Sequence, residues 1–488
     1  MTTGIRATDR QTDPKPADGA GLPLCVDLDG TLVRSDTLVD ALMSGMCNWR
    51  VWRAFPSMLT KGRAAMKQEL ARAEPVDAAS LPYNDELLNY LREEKARGRR
   101  LVLATASDQA TAEAVDAHLQ LFDEIFASDG TRNLKGERKA AALVERFGER
   151  GFAYAGNDRS DLHVWPHAGG AIVVNANRSV AQQAATTTAI EKRLDDRRSP
   201  FFAALRALRP YQWVKNLLVV VPIATAHALS DPKGWSNAGW IFAAFCATAS
   251  AIYIINDLAD MKADRQHPRK RRRPFASGAL SPAVGLAMFA VLISAGAFFA
   301  LQTDAALWVA FYATVTLSYS LWLKEFPLVD VFVLAGLYTL RLFAGGEATG
   351  HPVSLWLLGF SSFFFLSLAL VKRASEMMAL PRNSAARRGY WPADVPILQL
   401  MGIASGFTSV VILSLFVQDE TTSRLYASPA LLWCTVPLIL FWLCRVWLST
   451  ARGYMHDDPI VYAAKDWVSW IVSLAVFGTL AAAKTLVF

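Results

Sequence analysis

Two aspartates follow directly on a short apolar run near the start of the chain. Residues 24–26 are apolar, Asp27 comes next, and Asp29 lies two residues further on. A strand ending here would deliver both carboxylates to its C-terminal end, where α/β sheets place their sites, and would turn Leu28 away from both. One carboxylate could attack a phosphorus centre while the other handles the proton of the leaving group. A turn with two solvated aspartates is the plainer alternative.

More polar residues that suit phosphate chemistry follow in order along the chain. A second apolar run, at 101–104, ends in a threonine hydroxyl, and a lysine follows in the string LKGE at 134–137. A third apolar run leads into GNDRSD at 156–161. The set consists of Thr105, Lys135, Asn157, Asp158 and Asp161.

These four ordered motifs resemble the haloacid dehalogenase-like phosphohydrolases, in the branch that is similar to phosphoserine phosphatase and has a small helical cap. The resemblance covers residues 22–180. It implies Asp27 as the nucleophile that forms an aspartyl-phosphate and Asp29 as the general acid/base. It implies Thr105 and Lys135 as phosphate-binding groups, while Lys139 is a less favoured alternative whose pattern is typical of a surface lysine.

The resemblance also implies Mg²⁺, held by Asp27, the backbone carbonyl of Asp29 and the last acidic motif. That motif departs from the usual GDxxxD, because Asn157 stands where the first aspartate belongs. Asp158 comes one place later, and Asp161 matches the second aspartate. Either Asn157 is a neutral ligand or Asp158 replaces it after a small shift, and the metal affinity depends on which.

Short β-rich runs alternate with segments of helical period in this part of the chain, which predicts an α/β domain with a parallel sheet. A stretch without strand character at 37–82 predicts a helical cap inserted after the first strand. We expect a multidomain protein: a disordered tail at 1–20, the phosphatase-like domain at 21–185, a charged linker at 186–205 and a membrane domain at 206–488. The predicted strands are 24–28, 100–105, 152–155 and 170–175.

A second acidic motif ends an apolar segment at 236–256. Asp257, Asp260 and Asp264 are spaced i, i+3 and i+7, which puts three carboxylates on one face of a helix, and Asn256 lies beside them. Acidic side chains at the end of a membrane helix are costly unless they are paired or bind a metal. Carboxylates at this spacing can bind Mg²⁺ ions that bridge to a diphosphate. A solvated helix end is the alternative.

Five consecutive cations follow at 269–273. The simplest interpretation is a topology anchor that contacts lipid headgroups. Because an acidic metal site is close in sequence, some of these side chains could instead bind phosphates. The candidates are Arg265, Lys270, Arg271 and Arg273.

The string NDxxDxxxD resembles the UbiA superfamily of intramembrane prenyltransferases, whose fold has nine helices. Further strings resemble one branch, the decaprenyl-phosphate phosphoribosyltransferases, over 206–488: RPYQWVKN at 209–216, DRQHP at 264–268, YSLWLK at 319–324, LRLFAGG at 340–346, KRASE at 372–376 and HDDP at 456–459. The implied donor is phosphoribosyl pyrophosphate and the implied acceptor a polyprenyl phosphate. The matching positions add the phosphate-binding candidates Lys215, Lys324, Arg341 and Lys372, and the substrate-binding candidates Tyr319, Asp330, Arg373, Glu376 and Asp457.

Composition places the second half of the chain in a membrane. The net charge of +7 arises entirely beyond residue 200, because residues 1–200 contain 27 basic and 28 acidic residues. Nine apolar stretches of membrane-spanning length follow, and the basic residues concentrate in alternate loops, whereas the opposite loops contain only Lys233 and Arg424. The predicted spans are 213–230, 236–256, 282–302, 305–323, 328–345, 354–371, 397–417, 428–447 and 467–487.

This pattern excludes a uniformly soluble enzyme and argues against nucleic acid as a partner, since the basic excess lies in the apolar half. It predicts an integral protein of the bacterial plasma membrane, with the N-terminal domain and active sites cytoplasmic and the C-terminus outside. The scattered cysteines predict no disulfide framework or zinc site. Arg341, near the end of a predicted span, favours an anionic ligand; an arginine that reaches the interface is the alternative.

Together these features predict a bifunctional enzyme that forms polyprenyl-phosphoryl-5-phosphoribose and then removes the 5-phosphate. One alternative is prenyl transfer from a prenyl diphosphate to an aromatic acceptor. In that case the N-terminal domain is regulatory or acts on an unrelated phosphate ester. A further hypothesis makes the N-terminal domain a non-catalytic regulatory or docking module; Asn157 favours it, and the intact pair of Asp27 and Asp29 argues against it.

Overall fold

The computed structural model describes residues 21–44, 66–129, 131–197, 199–379, 389–419, 426–455 and 458–486. The predicted tail at 1–20 lies outside them. The chain divides into two compact units. The first takes the residues up to Ala204 together with Asp257–Gly285, and the second takes Leu205–Asn256 and Leu286 onward. The predicted membrane domain at 206–488 is therefore not one unit, because 257–285 clusters with the first.

The first unit is built on a six-stranded parallel sheet with the order β3-β2-β1-β4-β5-β6. The central strand β1 pairs with β2 on one side and with β4 on the other, so that Val26 lies opposite both Leu103 and Ala155. The direction of winding changes at β1, and ligand sites form where it does. The strands are β1 Leu24–Val26, β2 Leu101–Asp108, β3 Glu124–Ser128, β4 Ala153–Gly156, β5 Gly170–Val174 and β6 Ile190–Leu194.

Both faces of this sheet are buried, which explains why its central strands are continuously apolar. Leu24 and Val26 of β1 pack into one core, and Cys25, which points the other way, packs into a second. The helices that cover the two faces are α2 Asp85–Ala96, α3 Gln109–Leu119, α4 Glu137–Phe147 and α5 Arg178–Thr187. α1, Thr37–Ser44, precedes them in the chain and packs apart from the sheet.

Two strands were absent from the sequence prediction, and one of them corrects the linker. The segment at 186–205 contains β6, which pairs in parallel with β5, so the linker begins only after Leu194. β6 lies at the edge of the sheet, and only Leu194 among its residues is buried. β3 has the mixed sequence EIFAS. Neither strand has the apolar run on which the prediction depended.

The predicted cap is helical where the structure describes it. It contains α1, helical residues 66–73 and a short 3₁₀ turn at Ala78–Ser80. Residues 45–65 lie outside the described part of the chain. Leu70 packs with Ala41 of α1 in a small apolar cluster of the cap.

The second unit is helical, and within the described ranges seven helices of the chain are long and apolar enough to cross a membrane. The protein is an integral membrane protein, and the prediction of nine spans is not confirmed. The predicted span at 305–323 is a helix of 16 residues, and the one at 213–230 is replaced by a 3₁₀ segment, Pro210–Val220, and a short helix. The seven helices are Pro232–Ala259, Pro282–Ala300, Val329–Thr349, Leu355–Met378, Pro392–Gln418, Pro429–Ala451 and Trp467–Thr485.

The remaining labels follow chain order. The helices are α6 Pro200–Leu208, α7 Val221–Thr225, α8 Pro232–Ala259, α9 Met261–Gln266, α10 Pro282–Ala300, α11 Ala306–Leu321, α12 Val329–Thr349, α13 Leu355–Met378, α14 Val395–Gln418, α15 Thr435–Ala451, α16 Pro459–Lys465 and α17 Trp467–Thr485.

Arg99 anchors the edge strand β6 to the rest of the sheet. Its guanidinium lies 2.8 Å from Glu94 and 2.9 Å from Glu191 of β6, and it donates to the carbonyl of Leu22 at 2.7 Å. We expect Arg99→Met to lower the stability of the first unit by about 3 kcal/mol, because buried Glu94 loses its partner. Pulse proteolysis of the full-length protein in urea would measure this.

Arg97→Met is the matched control, since Arg97 also pairs with Glu94 but its side chain is 69% exposed. This control should change stability by less than about 1 kcal/mol. Equal losses in the two variants would contradict the assignment of Arg99 as the anchor.

Candidate functional sites

Asp27, at the C-terminal end of β1, is paired with Lys139. The two side chains are buried, and Lys139 Nζ lies 2.7 Å from Asp27 Oδ1. The preference for Lys135 as the lysine of this site was wrong: Lys135 is exposed in the loop before α4. α4 begins at Glu137, so Lys139 lies on its buried face together with Ala140 and Leu143.

Burial raises the pKa of Asp27 to about 7, although the Lys139 ammonium acts in the opposite direction. Burial alone would lower the pKa of Lys139, but the carboxylates of Asp27 and Asp161 outweigh it and raise that pKa. The amine is therefore charged at neutral pH. A fixed cation beside the predicted nucleophile can neutralise the charge of an incoming phosphate.

Both carboxylate oxygens of Asp29 accept hydrogen bonds. The backbone N–H of Thr37 donates to Oδ1 at 2.7 Å, and the hydroxyl of Ser107 donates to Oδ2 at 2.5 Å. The hydroxyls of Thr37 and Ser107 lie 2.9 Å apart. The orientation of the carboxylate is thus set from the first residue of α1 and from the end of β2. Ser107 was not predicted, although its place two residues after Thr105 was a signal for it.

Thr105 is fully buried, and its hydroxyl oxygen accepts the backbone N–H of Ser107 at 3.0 Å. This bond shapes the turn that presents the Ser107 side chain to Asp29. The role of Thr105 as a phosphate ligand stays a prediction.

Asp161 organises the third loop of the site. Its Oδ2 accepts the backbone N–H groups of Asn157 and Asp158 at 2.8 and 3.0 Å, and its Oδ1 accepts the hydroxyl of Tyr154 at 2.8 Å. Tyr154 in turn lies 2.9 Å from Lys139 Nζ. Both oxygens of Asp161 thus help to fold the loop and to place Lys139, and its role as a metal ligand stays a prediction.

The structure distinguishes Asn157 from Asp158. Asn157 Oδ1 accepts the hydroxyl of Thr31 at 3.1 Å, and the Asn157 amide lies so close to Gly30 that a Cβ there would come within 2.3 Å of its nitrogen. Asp158 is exposed and caps the turn Arg159–His163. Asn157, not Asp158, therefore faces the loop that carries Asp27 and Asp29.

The donor types at this edge suit Mg²⁺, because Asp27 and Asn157 offer only oxygen atoms. Within the described ranges, no cluster of three or more His, Cys, Asp or Glu side chains is placed to hold a metal by itself. Mg²⁺ is commonly held by one or two protein ligands together with water and substrate phosphates, so the two findings are compatible.

The second acidic motif lies where α8 ends. α8 stops at Ala259 and α9 begins at Met261, so Asp260 lies at a break in the expected continuous helix. Asp257 and Asp264 converge across this break on Arg273, whose Nη1 lies 3.0 and 2.6 Å from their oxygens. Burial raises the pKa of Asp264, and Arg273 acts against it.

The acidic motif also offers only oxygen donors to a cation, which again suits Mg²⁺. Arg273 bridges the carboxylates of Asp257 and Asp264, and Lys270 Nζ lies 3.9 Å from Asp264. Arg273 is thus close enough to contact a phosphate that is bound at these carboxylates. Asn256 and Asp260 are partly exposed, and Arg271 is exposed. Their roles as metal or phosphate ligands stay predictions.

Arg265 corrects the set of phosphate-binding candidates. Its guanidinium lies 2.8 Å from the carboxylate of Asp40 in α1, and both side chains are only 6% exposed. It also donates to the carbonyl of Ala276 at 3.2 Å. Because the guanidinium is buried against a carboxylate, Arg265 holds α9 against the cap.

Two lysines share one carboxylate in the second unit. Lys215 Nζ lies 2.6 Å from Asp458 Oδ2, and Lys372 Nζ lies 3.7 Å from the same atom. Tyr338 also donates its hydroxyl to Asp458, at 3.2 Å. Burial by itself raises the pKa of Asp458, but the two lysines outweigh it and bring the pKa to about 2. Asp458 was not among the predicted site residues; its neighbour Asp457, which was, lies outside the described residues.

Arg341 adds a third cation beside this group. Its guanidinium lies 5.7 Å from the centre of the Tyr338 ring, the same distance as Lys215 Nζ. The hydrogen-bond acceptors of Arg341 are neutral: Asn216 Oδ1, the carbonyl of Leu337 and the hydroxyl of Tyr312. In the part of the chain that the structure describes, no carboxylate pairs with Arg341. Lys215 and Lys372 thus share one carboxylate, and Arg341 adds a third positive charge on the Tyr338 ring that Lys215 also contacts.

Most of the predicted substrate-binding residues contact one another. Arg373 forms a buried ion pair with Asp330 and lies 2.5 Å from Glu376. Tyr390, which was not predicted, donates to Asp330 at 2.6 Å. The group joins α12 to α13, and Asp330 and Arg373 are buried partners in it. Their roles as substrate-binding residues stay predictions.

Two further candidates lie near this group in the sequence. The hydroxyl of Tyr319 is buried without a hydrogen-bond partner among the described residues. Lys324 is partly exposed in the turn Leu323–Glu325. The geometry assigns neither of them a ligand, and both stay predictions.

Comparison with known proteins agrees with these observations. The model of the UbiA prenyltransferase family matches residues 217–464, about half of the chain. An uncharacterised protein of Sinorhizobium fredii, y4nM, is 38% identical over 464 residues, which cover 93% of this chain and 90% of that protein. The decaprenyl-phosphate phosphoribosyltransferase of Corynebacterium glutamicum is 37% identical, over 59% of this chain and 89% of that enzyme.

Among solved structures, a haloacid dehalogenase family hydrolase of Salmonella enterica is similar at 15% identity and a TM-score of 0.27, covering 36% of this chain and 68% of that protein. The chain belongs to the UbiA prenyltransferase family.

Lys139 and Lys135 offer a direct test of the phosphatase-like site. We expect Lys139→Met to lower the rate of phosphomonoester hydrolysis about 10²–10³-fold, because a positioned cation is lost beside the nucleophile. Lys135→Met, four residues earlier and exposed, is the matched control and should stay near the wild-type rate. Initial rates of phosphate release by the full-length protein measure both variants. A larger loss of rate in Lys135→Met than in Lys139→Met would instead assign Lys135 as the lysine of the site.

Proposed function

We propose that the chain transfers a 5-phosphoribosyl group from phosphoribosyl pyrophosphate to a polyprenyl phosphate, and that its N-terminal domain then removes the 5-phosphate. The observation that carries the first step is that Lys215 and Lys372 share the single carboxylate of Asp458, while Arg341, which lies against the same Tyr338 ring as Lys215, contacts neutral acceptors. Buried cations in excess over anions favour an anionic ligand. Both substrates are phosphates.

The alternative reaction, prenyl transfer to an aromatic acceptor, also uses a diphosphate donor. Two observations favour the sugar phosphate. The chain covers 89% of a relative named decaprenyl-phosphate phosphoribosyltransferase at 37% identity, and 4-hydroxybenzoate octaprenyltransferases match over only 31% of the chain, at 30% identity or less. In addition, two phosphorylated substrates need more cations than one diphosphate, and the strings at 209–216 and 372–376 each supply one buried or half-buried lysine.

In the transfer step the bond between the anomeric carbon of ribose and the diphosphate breaks, and an oxygen of the lipid phosphate forms the new bond from the opposite face. That phosphate is already anionic, so no general base is required. Positioning and charge neutralisation then provide the catalysis. Arg273, and the lysines at Asp458, would bind phosphate oxygens.

In the hydrolytic step Asp27 attacks the 5-phosphorus, and the bond from phosphorus to the ribose oxygen breaks. Asp29 gives that oxygen its proton. Water then attacks the phosphorus of the aspartyl-phosphate, Asp29 accepts the proton of the water, and inorganic phosphate leaves. Lys139 neutralises charge at the phosphate throughout.

Mg²⁺ would supply charge neutralisation at the phosphates in both reactions. Asp27 and Asn157 would hold it in the phosphatase-like domain, together with the backbone carbonyl of Asp29. The acidic motif would hold it for the transfer, through Asn256, Asp257, Asp260 and Asp264. We also propose that both reactions take place on the cytoplasmic face of the plasma membrane, as the distribution of basic loops favours.

Membranes incubated with radiolabelled phosphoribosyl pyrophosphate and polyprenyl phosphate test both steps. The wild type should convert the lipid to a phosphate-free ribosyl product. Asp27→Asn should accumulate the 5-phosphorylated lipid, because the nucleophile is lost while the transfer is intact. Asp260→Asn should make neither lipid. Thin-layer chromatography of the labelled lipids resolves the three results.

Asp129→Asn is the control for the first variant, since Asp129 is exposed and remote from Asp27 in sequence. Label that stays in the water-soluble fraction for the wild type would overturn the transfer. In that case, a prenyl diphosphate with 4-hydroxybenzoate is the substrate pair to test. If Asp27→Asn gives the same phosphate-free lipid as the wild type, the N-terminal domain does not hydrolyse this product.

A further inference from the structure

α9 of the segment 257–285 contacts the cap of the phosphatase-like domain through a buried ion pair, and both belong to the first unit. Arg265 lies 2.8 Å from Asp40 Oδ2, and each side chain is 6% exposed. The same oxygen of Asp40 accepts the hydroxyl of Ser35 at 2.6 Å. The ion pair therefore joins α9 to the first turn of α1, where Asp40 lies.

Two further polar contacts lie beside this ion pair. Lys262 is 3.1 Å from Glu74, and Gln266 donates to Asp77 at 3.0 Å. Lys262, Arg265 and Gln266 share one face of α9, because their spacing is i, i+3 and i+4. All three partners belong to the cap. The cap thus rests on the segment through α1 and through the residues that follow the helical stretch 66–73.

α1 also holds the predicted acid/base of the phosphatase-like site. Its first residue, Thr37, donates its backbone N–H to Asp29 at 2.7 Å, and its hydroxyl lies 2.9 Å from Ser107, the other partner of Asp29. Asp40 is three residues further along the same helix, on the same side as Thr37. A helix moves as a rigid element over one turn, so a change at Asp40 shifts Thr37.

We propose that Arg265 is a positioning residue for the hydrolytic step: its ion pair with Asp40 holds α1 so that Thr37 keeps the Asp29 carboxylate in its reactive orientation. This inference rests on the proposed phosphatase function. Nothing in the motifs of either domain pointed to it, because Arg265 belongs to the sequence of the transferase domain and was expected to bind phosphate.

The segment 257–285 carries residues that serve both proposed activities. Arg265 directly follows Asp264, which pairs with Arg273 and belongs to the acidic motif. The segment that carries the carboxylates of the proposed transfer therefore also fixes the geometry of the proposed hydrolysis. The phosphatase-like domain needs this segment for full activity, although the domain ends near residue 204 in sequence.

Arg265→Gln and Asp40→Asn in the full-length protein, in detergent or nanodiscs, test the proposal. With p-nitrophenyl phosphate as the substrate, each should lower kcat of hydrolysis about 10- to 100-fold, because a small misplacement of a reacting group has an effect of this size. KM should change far less than kcat, since Asp29 does not bind the substrate phosphate. Arg265→Lys should restore part of the rate.

The double variant should lose no more than either single variant, because both remove the same contact. Lys262→Gln is the matched control: it lies on the same face of α9 and breaks the pair with Glu74, which is more exposed than the Arg265 pair. Its kcat should equal that of the wild type. A wild-type kcat for Arg265→Gln would overturn the proposal.

Hydrogen exchange provides a readout that does not depend on activity. Arg265→Gln should speed the exchange of amides at 36–44 and leave α3, Gln109–Leu119, unchanged. Faster exchange across the whole first unit would mean general destabilisation and would overturn the proposed positioning role. If the wild type hydrolyses no phosphomonoester, the proposed function fails, and unchanged exchange at 36–44 would separately overturn the contact between Arg265 and α1.

Discussion

Charge that is removed from water must be compensated, and this constraint explains most of the polar architecture of the chain. At the end of β1, Lys139 balances Asp27, and Tyr154 and Asp161 complete the chain of hydrogen bonds. Asp330 and Arg373 balance each other between α12 and α13. The group around Tyr338 differs, because Lys215 and Lys372 share Asp458 while Arg341 contacts neutral acceptors. This excess of positive charge distinguishes a site that can bind an anion from an ion pair that joins two helices.

The same constraint accounts for the places where the segment 257–285 departs from expectation. Periodicity predicted one helical face with three carboxylates, and an isolated set of that kind would repel itself. The helix instead breaks at Asp260, and Arg273 folds back onto Asp257 and Asp264. Arg265 points away from that group toward Asp40. Two arginines of one short segment, Arg265 and Arg273, thus pair with different acidic partners, and their spacing along the chain does not predict which partner each one takes.

The sequence alone was sufficient to predict strands and site residues where a motif directly follows an apolar run. The four central strands and the sites of Asp27 and Asp29 follow from short apolar runs that end in polar residues, and the family follows from strings of high specificity. It was insufficient where the outcome depends on packing. Whether Lys135 or Lys139 is buried depends on where α4 begins. β6 is a charged edge strand that is recognised by its pairing with β5. The span at 213–230 is apolar, but Pro210 and Pro222 cannot donate backbone hydrogen bonds, and the segment forms a 3₁₀ run and a short helix.

The position of Asn157 bears on why the two domains occur in one chain. A neutral ligand at that place leaves one negative charge fewer for Mg²⁺, so the metal must rely more on Asp27 and on the substrate phosphate. Such a site works best when its substrate arrives at high local concentration. In the proposed sequence of reactions, a product formed on the same chain and kept at the membrane by its lipid would meet that condition through tethering alone. The neutral ligand and the fusion to a membrane domain would then be consistent features of the proposed bifunctional enzyme.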